Sequence, residues 1–468
     1  MLLCHLIKNR KILAIGNKYS GGGEYMKNVA INGFGRIGRN AFKIIKMRSD
    51  LKIVAINDLT DTKTLAHLLK YDSNYGTYES EVSYDDDGII VDGEHIKVCA
   101  VKDPAELPWK ELGVDVVIES TGLFVKPELA RAHIDKAGAK RVVISAPAKG
   151  EGAKTIVLGV NDDDLKTDAD IFSNASCTTN CIAPVMAVLE ANFGIDKAMM
   201  TTVHSYTASQ KLQDAPAKDL REARNAAENI VPTTTGASIA ASLVVPSLKD
   251  RFGGLSVRVP TPVVSISDIT AVLKRNTTAE EINEVFKQAA QQPYYQGILA
   301  VSEDELVSSD FKGNSHSAIV DLPLTSVIGG NLIKVCAWYD NEWGYSNRLV
   351  EVTADVARLL PEENTLPNAN QVNQVNDFNA VNSVASTASL NELTTAQPTV
   401  TNSDQAPSAS STDMPDPIEV ANQLGQQLDN NTSSEVNNPV NSTTYNQEMN
   451  NTDQAFNNQQ DLNAPRGF

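Results

Sequence analysis

VAINGFGRIG, residues 29–38, decides how the fold is read. An apolar run, Val29-Ala30-Ile31, ends at Asn32, and glycines then stand at 33, 35 and 38. A buried strand, a G-x-G-x-x-G turn and a helix-like stretch from Ile37 to Met47 make up the strand–turn–helix of a dinucleotide-binding unit. Each glycine has its own task. Gly33 permits the tight turn, Gly35 lets the backbone approach a pyrophosphate, and Gly38 lets the helix pack closely on the strand. The free N–H groups at the helix start then bind the anion. Asp58 closes the next apolar run, Ile53 to Asn57. A carboxylate there accepts hydrogen bonds from an adenosine ribose and repels a 2′-phosphate, so the expected cofactor is NAD rather than NADP. The competing reading is a structural turn with an incidental Asp.

Further along the chain, short β-branched runs at Val114–Ile118 and Val142–Ile144 alternate with helix-like stretches such as Pro127–Ala137. Such alternation predicts parallel βαβ units with both sheet faces covered. This assigns residues 27–176 to an α/β Rossmann domain. From Cys177 the texture changes. One helix-like stretch is followed by strand-like runs at Met199–His204, Leu255–Val259, Val263–Leu273 and Leu332–Trp338. Residues 177–342 are therefore expected to form an α+β catalytic domain with a mostly antiparallel sheet. Leu349, Val352, Val356 and Leu359-Leu360 share one helical face, so residues 343–361 read as a C-terminal helix packing back on the Rossmann domain.

Both ends differ from this body. In residues 1–26 two apolar patches are interrupted by Lys8, Arg10 and Lys11, without the continuous apolar region of a secretory signal. They read as a non-native or disordered leader, with Met26 as the expected start. From Glu363 onward there are twelve acids, one base (Arg466), and no Lys, Cys or Trp. An Asn/Gln/Ser/Thr-rich segment of this kind cannot offset the ~1–2 kcal/mol per residue of backbone ordering, so residues 362–468 are expected to be disordered. The net charge of −18 mostly describes this tail. It argues against non-specific nucleic-acid binding, which needs a basic face. No apolar run reaches the ~18–20 residues of a membrane span. Five cysteines, Cys4, Cys99, Cys177, Cys181 and Cys336, are too few and too odd in number for a disulfide framework. They fit a reducing compartment, hence a cytoplasmic location.

SNASCTTNC, residues 173–181, precedes the apolar helical run Ile182–Leu189. Ser176 or Cys177 then sits at a helix start, where the dipole and exposed N–H groups are expected to lower a thiol pKa. Cys177 is the candidate nucleophile. Cys181, one turn on, has no second Cys or His pair at zinc spacing, so no metal is expected. His204 ends a strand and is either the base for this thiol or a hydrogen-bonded core histidine. Arg224 and Arg258 adjoin Thr-rich segments. Either they fork onto phosphate or they form ordinary salt bridges.

Six segments together closely resemble the glyceraldehyde-3-phosphate dehydrogenase family: NGFGRIGR (32–39), SNASCTTNC (173–181), HSYT (204–207), PTTTG (232–236), RVPTP (258–262) and WYDNEWGYS (338–346). The resemblance spans about Lys27 to Leu360. It implies a homotetramer that oxidises D-glyceraldehyde 3-phosphate with NAD and inorganic phosphate. By resemblance Cys177 is the nucleophile and His204 its base. Ser176, Thr178, Thr235 and Gly236 line the inorganic-phosphate site, Thr207 and Arg258 bind the substrate phosphate, and Arg224 serves both. Gly33, Gly35, Arg36, Ile37, Asp58, Thr121, Ser145 and Asn341 contact NAD, with Asn341 on the nicotinamide amide. Residues 206 to about 229 are similar to the S-loop that packs against a neighbour's cofactor. There Ala215-Pro216 mixes the patterns of NAD- and NADP-using members, and Asp58 with Pro216 favours NAD. The alternatives are the sister enzyme erythrose-4-phosphate dehydrogenase, which usually lacks the HSYT and PTTTG patterns, and an adhesion or binding role through the tail.

Overall fold

The computed structural model describes residues Met26–Pro361. Most of the leader and all of the tail lie outside the described residues.

The VAIN run forms β1 (Lys27–Asn32), and the glycine turn leads into α1 (Arg36–Lys46). There follow β2 (Leu51–Asn57), α2 (Thr62–Lys70), β3 (Val82–Tyr84), β4 (Gly88–Val91), β5 (Glu94–Cys99), β6 (Val116–Glu119), β7 (Arg141–Ile144), β8 (Lys154–Thr155) and β9 (Ile171–Ser173). They make one sheet in the order β8-β9-β7-β6-β1-β2-β5-β4-β3. All pairs from β8 to β5 are parallel. Both faces are covered, as the alternation predicts. Phe42 and Ile45 of α1 pack with Val29 and Ile31 on one side, and Trp109, Ala130 and Val142 pack with Ala30 and Ala55 on the other. The β3–β4–β5 edge is antiparallel, an addition that the βαβ reading did not include. Its β4–β5 turn is Asp92-Gly93, both at positive φ, the turn chemistry a two-residue hairpin requires. The expected helix over Pro127–Ala137 is two single turns that part at Arg131. There His133 is drawn inward to accept from Trp109 Nε1 at 3.0 Å and to meet Glu119 at 3.1 Å.

The second layer begins with α3 (Cys177–Phe193), buried on most sides as an all-round apolar helix must be. It packs on a seven-stranded sheet built from β10 (Ile195–Ser205), β11 (Val231–Thr233), β12 (Phe252–Val259), β13 (Ser265–Leu273), β14 (Leu299–Ser302), β15 (Ala318–Ile328) and β16 (Leu332–Tyr339). The order is β11-β12-β10-β13-β16-β15-β14. Four pairings are antiparallel and two, β10–β12 and β14–β15, are parallel, so the sheet is mostly antiparallel. Helices α4 (Ala237–Val244) and α5 (Ala279–Ala290) flank it. The last helix, α6 (Trp343–Arg358), returns to the first sheet, where Leu349, Val352 and Val356 join the core of Val29, Phe42 and Ile45. Each such buried side chain contributes about 1.5–3 kcal/mol, which is what holds this helix there.

Candidate active site

The carboxyl ends of β1, β2, β6 and β7 face one crevice. From β1 the chain passes first to β2 and later returns on the other side to β6. Ligands of open parallel sheets bind at such a switch point. Gly33 has φ +91, and a Cβ there would lie 2.7 Å from Thr121 N. A Cβ on Gly38 would lie only 2.2 Å from Gly33 O, so the close helix–strand approach expected of this glycine is real. At Gly35 an added Cβ meets nothing within 4 Å. The start of α1 has no side-chain cap and no acid in its first turn, which leaves its N–H groups for an anion. Asp58 accepts from Phe34 N at 2.8 Å and Thr60 N at 3.0 Å, which fixes its carboxylate beside the cradle. Thr121 is held by Glu119, and Ser145 N donates to Glu119 O at 2.9 Å. Asn341 follows β16, and its Oδ1 accepts from Ser265 Oγ at 3.0 Å. These residues fit a dinucleotide: an open, uncapped helix start for the pyrophosphate and a fixed carboxylate for the ribose. The Arg36 guanidinium is engaged by Glu342 and Asp72, which leaves its backbone N–H as the group at the helix start.

Cys177 is the first residue of α3 and Ser176 is its cap, the Oγ accepting from Thr179 N at 3.0 Å. The turn before it is strained. Ala175 has φ +53, which costs a non-glycine residue of order 1 kcal/mol or more. Three side chains enforce it. Ser173 Oγ accepts from Ala175 N at 3.1 Å, Tyr345 donates to Ala175 O at 3.0 Å, and Asn180 donates to Asn174 O and Ser176 O.

His204 reaches the thiol from β10, its Nε2 lying 3.4 Å from Cys177 Sγ. Its Nδ1 lies 2.7 Å from Ser205 O, which can only accept, and beside Arg258 Nη1, which can only donate; in the tautomer with Nδ1–H turned to Ser205 O, Nε2 is free to receive a proton. Arg258 is the register partner of His204 on β12, and its Nη1 lies against the same Nδ1. Burial first, and then the Arg258 charge, hold the imidazole down to about 3, so it rests neutral. Tyr339 sits edge-on to the ring, and its OH bonds Thr178 Oγ1 at 2.9 Å and Thr202 Oγ1 at 2.8 Å.

One expectation is corrected. The helix start was expected to lower the Cys177 pKa. Desolvation instead raises it, although Arg258 and hydrogen bonds from Thr178 pull the other way. Burial thus favours the uncharged thiol and the uncharged imidazole, opposed at the sulfur by Arg258 and Thr178.

The structure thus brings together Ser176, Cys177, Thr178, His204 and Arg258. It does not join the remaining phosphate candidates to them. Thr207 pairs with Ser209 at 3.1 Å, and Thr235 accepts from Ala237 N at 3.2 Å beside Gly236, the residue before α4. Arg224 is exposed and paired with Asp214 at 2.9 Å. The dull reading, a surface salt bridge, holds for it in this geometry. Tyr339, Tyr345 and Ala175 were missed. The two tyrosines stand in the WYDNEWGYS segment, but nothing local says which backbone or hydroxyl they reach.

The comparisons agree with this geometry. The family model described as the NAD binding domain of glyceraldehyde 3-phosphate dehydrogenase matches residues 27–127, and that for its C-terminal domain matches residues 176–341. Glyceraldehyde-3-phosphate dehydrogenase of Borreliella burgdorferi is 53% identical over 335 residues, 70% of this chain and 99% of the relative. That of Streptomyces coelicolor is 54% identical over 334 residues, 71% and 99%, and that of Geobacillus stearothermophilus 53% over 330, 70% and 98%. The chain belongs to the glyceraldehyde-3-phosphate dehydrogenase family. The cradle on α1 accordingly lies within the part matched to the family's NAD-binding domain, and the thiol–imidazole pair within its C-terminal domain. Among the described residues no helix is long and apolar enough to cross a membrane.

Proposed function

We infer that this chain performs the phosphorylating oxidation of D-glyceraldehyde 3-phosphate to 1,3-bisphosphoglycerate with NAD, using Cys177 as nucleophile and His204 as base. The observation that carries this is the approach of thiol and imidazole, 3.4 Å apart at a helix start. His204 Nε2 takes the S–H proton as the sulfur bonds the aldehyde carbon. The oxyanion is held by the Cys177 N–H and the imidazolium, which hands its proton to that oxygen and takes it back as the carbonyl re-forms. When bound, NAD accepts the hydride that leaves this carbon. A thioester remains on Cys177, phosphate attacks it, and the thiolate leaves. Gly33, Gly35, Arg36, Ile37, Asp58, Thr121, Ser145 and Asn341 hold the cofactor. Ser176, Thr178, Thr235 and Gly236 take inorganic phosphate, and Thr207 with Arg258 takes the phosphate of the substrate.

Arg224 reaches these phosphates only by leaving Asp214, which an exposed pair worth about 0–1 kcal/mol permits. Arg221, exposed and without a side-chain partner among the described residues, is its competitor. Whichever of R224A and R221A raises KM for phosphate and aldehyde together identifies the shared guanidinium. Exposed apolar side chains crowd residues 212–243: Leu212, Leu220, Ile230, Ile239 and Leu243 are each about two-thirds exposed or more. Such a concentration supports burial in a homotetramer, which sedimentation would report. Four unpaired cysteines among the described residues support a cytoplasmic location. The test of the activity is cofactor reduction with glyceraldehyde 3-phosphate and with erythrose 4-phosphate, each with and without phosphate. Phosphate-dependent turnover of the former is expected, and phosphate-independent turnover of the latter alone would defeat the reading.

A further inference from the structure

The Arg36 guanidinium closes a ring between segments far apart in the chain. Its Nε donates to both Glu342 oxygens at 3.0 Å, Nη2 donates to Glu342 as well, and Nη1 donates to Asp72 Oδ2 at 2.9 Å. The Asp72 side chain is 2% exposed, and its Oδ1 accepts from Asn74 N and Tyr75 N. Tyr75 lies under the guanidinium, meets the Trp343 ring at a tilt of 48° and donates to Asp340 Oδ1 at 2.8 Å. The same oxygen accepts from Glu342 N at 3.0 Å and Trp343 N at 2.8 Å, and Asp340 Oδ2 accepts from Gly313 N at 2.8 Å. The ring therefore passes from the start of α1, through the turn at 72–75, to the turn at 340–343, and back. Asn341 lies inside that last turn.

A buried or half-buried ion pair is weak evidence for stability, because desolvation cancels most of the attraction. A bidentate fork shared by two carboxylates does supply fixed geometry. We propose that Glu342 and Asp72 are positioning residues for hydride transfer: by gripping Arg36 they lock the helix start under the pyrophosphate and the turn carrying Asn341 into one rigid unit. This rests on the reading of α1 and Asn341 as cofactor contacts.

The test compares E342A, E342Q, D72N and N341A in the full chain. The readouts are KM for NAD, kcat, KM for the aldehyde, the rate of Cys177 alkylation by iodoacetamide without cofactor, and Tm. E342A is expected to raise KM for NAD and lower kcat by roughly tenfold each, since small misplacements of reacting groups carry penalties of this order. KM for the aldehyde and the alkylation rate stay within about twofold, because the thiol–imidazole pair is outside the ring. E342Q, which keeps an acceptor on the fork, recovers part of the loss, and D72N shows the same split more weakly. Should E342A fail to fold, E342Q and D72N make the same comparison. Unchanged NAD kinetics in E342A and E342Q, or slowed alkylation in step with them, overturns the proposal. If N341A is impaired with NAD while E342A is not, the ring alone is wrong. If N341A leaves NAD kinetics unchanged, the cofactor role of Asn341 falls, and the proposal with it.

Discussion

Two helix starts serve this protein in opposite ways. That of α1 is left open: its cap position is Gly35, no side chain accepts from its N–H groups, and the space beside Gly35 is empty to 4 Å. That of α3 is filled: Ser176 caps it, Ala175 is bent into the left-handed region before it, and a thiol occupies its first position. The same backbone polarity is offered in one case to a diffusible anion and in the other to a covalently attached sulfur. An open start needs only glycine and a close neighbour. A filled one needs partners from several strands, because the sulfur must be held against a base as well as polarised.

Substitutions at the two starts sharpen this contrast. The largest effect is expected at the filled start. H204N removes the acceptor at Nε2 and should lower kcat by about 10²–10⁴, the usual worth of a positioned base, with NAD affinity by titration calorimetry unchanged. A loss under tenfold would mean that the thiol does not depend on His204. At the open start, G35V places side-chain carbons where the pyrophosphate is expected and should raise KM for NAD roughly tenfold while leaving cofactor-free alkylation of Cys177 alone. G38A behaves differently, since its Cβ would clash with Gly33 O, and it is expected to cost fold stability, read as Tm, before it costs affinity. Next comes S176A, which removes a helix cap worth about 0.5–2 kcal/mol and lowers Tm accordingly, leaving NAD affinity unchanged.

The smallest effect is a control remote from both starts. Asp162 is raised to about 6 by burial first and by Asp355 second. An acid raised in the folded state adds stability below its unfolded pKa near 4 and loses it as pH rises through about 6. D162N, whose amide oxygen can still accept from Gly159 N, should therefore raise stability by roughly 1–2 kcal/mol at pH 8 and hardly at all at pH 4, with kcat unchanged. Denaturation at the two pH values checks the sign, and equal effects at both would refute it.

The contrast also explains what the sequence discloses. The cradle on α1 is local: strand, three glycines and Asp58 lie within 30 residues, and each glycine carries its own steric signature. Cys177 is marked by its place at a helix start, but position leaves His204 open between a base and a core histidine, and only the family resemblance pairs the two. Ala175 was not, since alanine gives no hint of a positive φ. The Arg36–Glu342 contact joins residues 306 apart, and no periodicity reports it. The long strand β15 carries Pro323, which breaks the alternation that would mark it. Spacing cannot say which of the two arginines on one loop, Arg221 or Arg224, turns toward Asp214.

The hydroxyl of Tyr345 on Ala175 O has a consequence for how the molecule comes into being. The bend that presents the sulfur is secured locally by Ser173 and Asn180 and also from α6 by Tyr345, and Tyr339, which anchors Thr178, belongs to β16, threaded between β13 and β15. A nascent chain that has made Cys177 but not yet residues 339–345 has neither tyrosine. One support of the bend thus comes from 170 residues further along the chain, and an anchor of the neighbouring Thr178 from 161 residues further.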